Sequence, residues 1–211
     1  MRDEVKGRWS ILLAGILWSL AGVFIKSLDL HPLTIVFYRS LFAALCFFPF
    51  LRKKSWAVSL PLAVSVVSFT AAISSFVWAN KLTTAANAIV LQYTAPIFVF
   101  LFVRLLFRET VSRLNWMTLA AGMVGVGVIF LGSSGEPDAP GVMVALLSGL
   151  LFSVYMTNLR FLKGIDPRSL TLVNNMVCSL ALFPLARSQL SLSLMEGLAL
   201  AVMGVVQLAL K

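Results

Sequence analysis

Charge, cysteine and histidine are all scarce in this chain. Only 12% of its 211 residues are charged, against 60% hydrophobic, and the mean hydropathy is +0.96. A water-soluble domain needs more polar groups than this to cover its surface, so the solvent here is lipid and the bilayer is the expected partner. Cys46 and Cys178 are the two cysteines, and both lie in apolar runs, where thiols act as small hydrophobes. That leaves no disulfide framework and no metal-ligand spacing. The single histidine, His31, has no carboxylate partner inside an apolar run. H-E-x-x-H, paired intramembrane Asp residues and a Ser/His pair are all missing, so the chain reads as a non-enzyme with no catalytic and no metal residues. Gly122, Gly125 and Gly127 do not have the G-x-G-x-x-G spacing and no strand precedes them. With Ala121 they are expected to let one helix pack closely on a neighbour.

What is present is a series of apolar runs. With about 20 residues needed per helical span, the breaks give eight: Trp9 to Ser27, Leu33 to Leu51, Ala57 to Ala79, Ala85 to Val103, Leu114 to Leu131, Gly141 to Leu159, Leu170 to Ala186 and Leu194 to Leu210. The runs are apolar nearly all round, unlike the alternating strands of a membrane barrel, so the fold class is all-α, a polytopic transmembrane helix bundle. No A-x-A-like cleavage signal follows the first run, which is read as a retained helix. Pro32, Pro61 and Pro167 open their helices, where a missing N–H costs little. Pro96 lies inside the fourth run and is expected to kink it.

The net charge of +9 would suggest nucleic acid in a soluble protein, but here Lys and Arg form brief clusters between apolar runs, and no nucleic-acid partner is expected. With the N-terminus in the cytoplasm, twelve of them fall on inside segments (Arg2, Lys6, Arg8; Arg52, Lys53, Lys54; Arg104, Arg108, Arg113; Arg160, Lys163, Arg168) and three outside (Lys26, Lys81, Arg187). The positive-inside rule therefore predicts a multi-pass inner-membrane protein with a cytoplasmic N-terminus.

The sequence also echoes itself. Gly15-Ile16-Leu17-Trp18-Ser19 returns as Gly149-Leu150-Leu151-Phe152-Ser153, an offset of 134, and Pro32, Phe48 and Pro49 return as Pro167, Phe183 and Pro184, an offset of 135. Five helices is an odd number, so a second copy starts on the opposite side of the membrane and is inverted. Inverted repeats are an architecture of secondary transporters, with substrate near the midplane. The domains expected are a first five-helix repeat over 1–132 and a partial second repeat, helices six to eight, over 141–211.

The run from Gly15 through Lys26, His31-Pro32 and Arg39 resembles the opening of EamA-like members of the drug/metabolite transporter superfamily. So does TTAANAIVLQYTAPIFVFLFVRLLFRE, with Tyr93-Thr94-Ala95-Pro96 and Glu109, and WMTLAAGMVGVGVIFLG resembles the family's small-residue fifth helix. The resemblance implies ten helices in two inverted repeats and export or exchange of a small metabolite or drug, with no cofactor beyond a coupling ion such as a proton, or a counter-substrate. Against that pattern the chain ends at Lys211 and is expected to lack helices nine and ten. A truncated, non-transporting remnant or structural subunit is the alternative, and a homodimer completing one cavity is a further expectation.

Candidate cavity residues are polar or aromatic groups inside spans. Arg39 lies about two turns into the second helix, where a charge is costly and marks a functional position unless it snorkels to the interface. A buried Arg suits an anionic substrate, which it grips bidentately. Its repeat counterpart is Asn174. Gln92 and Tyr93 stand beside Pro96, in the broken-helix setting where transporters place binding groups, with Asn87 a turn earlier; the plainer role for each is interhelical hydrogen bonding. Trp18 is mid-span, away from the interfacial belts, and either lines the cavity or packs. Tyr155, Asn158, Asn174 and Asn175 are read first as glue and second as ligands. Glu109, among Arg104, Arg108 and Arg113, is read as a helix-end ion pair.

Overall fold

A computed structural model describes residues 21–50, 59–110, 112–132, 139–187 and 190–209. Every regular element among them is helical. The order is α1 (21–27), then α2 (Pro32–Phe47), η1 (Phe48–Phe50), α3 (Leu60–Leu82), α4 (Ala85–Gln92), α5 (Ala95–Phe107), α6 (Arg113–Gly132), α7 (Ala139–Asn158), a short 3₁₀ turn (Leu159–Phe161), α8 (Pro167–Ala186) and α9 (Leu194–Ala209). Among the described residues, five segments are long and apolar enough to cross a membrane: Leu60–Leu82, Ala85–Phe107, Arg113–Gly132, Ala139–Phe161 and Pro167–Ala186. α2 and α9 are shorter apolar helices. At 16 residues, α2 alone rises about 24 Å.

The helix starts are written locally. Pro32, Pro61 and Pro167 each occupy the first turn of their helix. His31 caps α2, its Nδ1 accepting from the Leu33 N–H at 3.3 Å. Ser59 Oγ accepts from Leu62 N–H, and Thr84 Oγ1 from Asn87 N–H. Ser193 and Glu196 form a reciprocal capping box on α9: Ser193 Oγ accepts from the Glu196 N–H, and the Glu196 carboxylate accepts from the Ser193 N–H at 2.8 Å.

Packing groups the described helices into two compact units. One holds α1, α2, α8 and α9; the other holds α3 to α7. In the first, α2 and α8 run antiparallel, because Phe37 meets Phe183, Ser40 meets Cys178, and Ala44 and Phe47 meet Leu172. α9 lies against α2 at Gly204, where a Cβ would fall 2.5 Å from the Arg39 carbonyl oxygen. Only a glycine permits that approach of the two backbones.

In the second unit α3 packs along α7, with α4 and α5 against α7. Ala79, Ala88 and Ala145 meet where α3, α4 and α7 converge; small side chains there allow three helices to close up without a driving force from water. α6 differs. None of its residues is buried, and a Cβ added at Gly122, Gly125 or Gly127 would meet nothing within 4 Å. The small-residue stripe, expected to make a close helix contact, has no neighbour among the described residues. Lipid can solvate such a face as well as a Leu-rich one does.

Candidate functional site

In the first unit, Arg39 is 6% exposed, and its Nε and Nη1 have no hydrogen-bond partner among the described residues. The next residue, Ser40, donates its hydroxyl to Cys178 Sγ at 3.4 Å. On α8, Asn174 and Asn175 are fully buried. Asn175 donates Nδ2 to the Thr171 carbonyl at 2.8 Å, a bond back along its own helix, while its Oδ1 has no partner among the described residues. The polar groups that the repeat register relates, Arg39 and Asn174, thus sit on two helices that pack against each other.

In the second unit the organising feature is a break. The fourth span is two helices, with Tyr93 and Thr94 forming the joint. Pro96 falls in the first turn of α5, so it opens a new helix and has no N–H to offer the Gln92 carbonyl. Across the joint the chain tightens: Thr94 N–H donates to Leu91 C=O at 3.1 Å and Ile97 N–H to Thr94 C=O at 3.0 Å, while Thr94 Oγ1 donates to Leu91 C=O at 2.7 Å. These three-residue bonds satisfy carbonyls that an uninterrupted α-helix would have served.

α7 holds the joint in place. Gln92 Nε2 donates to Ser148 Oγ at 3.0 Å, and Ser148 Oγ donates to the Ala72 carbonyl at 3.2 Å, linking α4, α7 and α3. At the next residue, Gly149, a Cβ would stand 3.1 Å from Thr94 Oγ1 and 3.2 Å from the Gln92 carbonyl oxygen. Sequence reasoning singled out Gly149 for the repeat but missed Ser148, whose only signal is a hydroxyl inside an apolar run. Tyr93, at the joint itself, is 47% exposed.

The remaining candidates lie apart from the joint. Asn87 is buried and donates Nδ2 to Thr83 Oγ1 at 3.4 Å in the α3–α4 turn. Tyr155 packs its ring 5.4 Å from Phe69. Asn158 donates Nδ2 to the Pro61 carbonyl at 2.7 Å, tying the end of α7 to the start of α3. Trp18 lies outside the described residues. Glu109 does form an ion pair, but with Arg160 beyond α7: Arg160 Nη1 donates to both carboxylate oxygens at 2.9 and 2.8 Å. The same guanidinium lies 5.1 Å over the Phe107 ring, which stacks on Phe161.

Apolar helices of spanning length, caps and prolines at their ends, and polar groups buried between them define a multi-pass helical membrane protein. Residues 5–131 match the EamA-like transporter family, and the chain belongs to it. It is similar to an uncharacterized transporter of Archaeoglobus fulgidus, 27% identical over 84% of this chain and 65% of that protein. An uncharacterized transporter of Helicobacter pylori is 30% identical over 72% of the chain and 54% of its own length. A riboflavin transporter of Rhizobium johnstonii is 28% identical over 81% of the chain and 59% of its own. The chain therefore spans between about half and two thirds of the length of these curated relatives.

Proposed function

We propose that this chain forms the larger part of a secondary transporter that exports or exchanges a small metabolite across the inner membrane by alternating access, driven by a coupling ion or counter-substrate. Family membership together with the transporter-named relatives carries this reading. The geometry adds two supports. First, the sequence echo at offset 135 pairs span two with span seven, and α2 and α8, which fill those spans, run antiparallel, as an inverted repeat would require. Shifting the Phe37–Phe183 contact by the repeat offset of 135 sends Phe37 to Leu172 and Phe183 to Phe48; Leu172 does pack on Phe47, the neighbour of Phe48. A pair of helices that maps nearly onto itself is what a two-fold axis in the membrane plane produces. Second, the Glu109–Arg160 pair joins the segments after the fourth and sixth spans, which even spacing assigns to one side of the bilayer and which the charge count assigns to the cytoplasm.

The broken fourth span is the natural place for binding groups, since interrupted backbone at membrane depth is tolerated where it lines protein or a polar cavity. Tyr93 is the candidate there with a free face. The test is a metabolomic comparison of medium and cytoplasm from cells with and without the gene, with riboflavin included among the compounds followed because a relative bears that name. One or more small metabolites should accumulate outside only when the gene is intact, and Tyr93→Ala should abolish that difference at unchanged expression. Identical metabolite profiles, together with no counterflow in proteoliposomes, would refute transport by this chain.

A further inference from the structure

Among the described residues of its unit, Arg39 presents a charge with no counter-charge. The chain holds eight acids: Asp3, Glu4, Asp29, Glu109, Glu136, Asp138, Asp166 and Glu196. Of the described acids in the unit that holds Arg39, Asp29 and Asp166 stand just before α2 and α8, and Glu196 alone falls within a helix that packs on α2. It stands in the first turn of α9, and one of its carboxylate oxygens already accepts two bonds from Ser193 in the capping box. α2 and α9 touch at Gly204, two turns further along α9 and level with Arg39. Among the described acids of this unit, Asp29, Asp166 and Glu196, none therefore lies at the depth of Arg39. Snorkelling does not account for the residue either, because a side chain reaching out along the bundle surface would be exposed, and this one is 6% exposed. A guanidinium held inside a helical bundle with Nε and Nη1 unpartnered among the described residues carries a large desolvation cost, and in stable proteins such a charge is paired. Nε and a terminal nitrogen are also two donors of the planar fork that matches a carboxylate or phosphate in bidentate fashion.

We propose that Arg39 is the binding residue for an oxyanion, the carboxylate or phosphate of a small molecule, and that this anion supplies the missing counter-charge; the proposal rests on the transporter reading and assigns the cargo its charged group. The residue that the repeat register pairs with Arg39 is the neutral amide Asn174, so these two positions of α2 and α8 offer a cation and no anion, an asymmetry that favours anionic over cationic cargo.

Binding to the purified full-length chain, in nanodiscs of neutral lipid, separates this proposal from transport. Two matched probe pairs are used, benzoate with benzamide and riboflavin 5′-phosphate with riboflavin, and tryptophan fluorescence follows thermal unfolding. The anionic member of at least one pair should raise the unfolding midpoint saturably, and its neutral twin should not. Arg39→Gln should weaken that anion about tenfold or more, and Arg39→Lys, which keeps the charge and loses the fork, should fall between. Without any ligand Arg39→Gln should melt above the wild type, because it removes an unpaired buried charge; a purely structural Arg39 moves the midpoint the other way. If the glutamine variant melts lower and no anion distinguishes it from the wild type, or if anions stabilise both proteins equally, the proposal is overturned. Should the anion effect hold while proteoliposomes show no flux, the oxyanion site stands and the transporter reading fails instead.

Discussion

Gly204→Ala adds one methyl group and should weaken the first unit by a calculable amount. The new Cβ would lie 2.5 Å from the Arg39 carbonyl oxygen, 3.0 Å from Phe42 Cβ and 3.2 Å from Ala43 N. Non-bonded heavy atoms prefer separations of about 3.5 Å, so α9 must retreat from α2 by about 1 Å at that level. The nearest obstacle is backbone of a packed helix, which cannot rotate away as a side chain would. Overpacking of this kind costs about 1–3 kcal/mol, and the gain in helix propensity on replacing Gly by Ala returns up to about 1 kcal/mol. The expected net effect is a loss of roughly 1–2 kcal/mol. Gly125→Ala provides the internal control, because it makes the same chemical change in α6 with nothing within 4 Å; there only the propensity gain remains, and stability should rise or stay level. Unfolding midpoints of the two purified variants in mild detergent, read by tryptophan fluorescence and by retention of the monodisperse peak, should shift in opposite directions. A Gly204→Ala protein as stable as the wild type, or a Gly125→Ala protein destabilised to the same degree, would show that the α2–α9 approach is not as described.

Further measurements reach the other contacts. Gln92→Ala should cost about 0.6 kcal/mol and at most about 1.7 kcal/mol, the average and maximum for interhelical hydrogen bonds in membranes, and Ser148→Ala, which also loses its bond to the Ala72 carbonyl, should cost more; the double variant should lose less than the sum, since the Gln92–Ser148 bond is removed by either change, and strictly additive losses would deny that bond. Asn158→Ala, which frees the Pro61 carbonyl, should lower stability by a similar amount, about 1 kcal/mol, and a neutral result would count against that contact. Glu109→Gln breaks an ion pair whose partners are 53% and 43% exposed, so its cost should be under about 1 kcal/mol and should vanish in high salt; a larger, salt-independent loss would mean the pair is shielded from solvent. Tyr93→Ala, at a half-exposed position, should leave the unfolding midpoint within about 0.5 kcal/mol of the wild type while abolishing flux, and loss of both together would make Tyr93 a packing residue.

Much of the fold was legible because lipid imposes it. With no water to bond the backbone, apolar runs of spanning length have to be helical, and the prolines and polar caps at 31–32, 59–61 and 166–167 mark where helices begin. What sequence could not give is rotation about each helix axis. The hydrophobic pattern that orients a helix in a soluble protein is missing when both core and solvent are apolar, so α6, with its glycine stripe, looks as suited to close packing as α9 does. Yet Gly204 meets another backbone and Gly122, Gly125 and Gly127 meet nothing. For the same reason the sequence leaves snorkelling and burial of Arg39 as equal alternatives, and it is the packing around α2 that buries the side chain. The capping box at Ser193 and Glu196 is the reverse case, a local S-x-x-E signal that marks a helix start independently of the apolar runs.

The fourth span shows how local sequence and packing divide the work at the candidate site. Pro96 by itself specifies only that one hydrogen bond is lost, and a membrane helix tolerates that with a bend. Here the loss becomes a two-residue joint, because Thr94 turns its hydroxyl back to Leu91 C=O and Gly149 leaves room for α7 to press against the Leu91 and Gln92 carbonyls. Gln92 then fixes the register by its bond to Ser148. Of the polar residues that the sequence placed beside the proline, Gln92 is thus engaged in holding the joint, and Tyr93 is the one left with an exposed face. Filling the Gly149 gap should therefore act on the joint before it acts on the bundle: Gly149→Ala pushes on Thr94 Oγ1 and two carbonyls, the local 3₁₀ bonds are what must yield, and the orientation of Tyr93 changes with them.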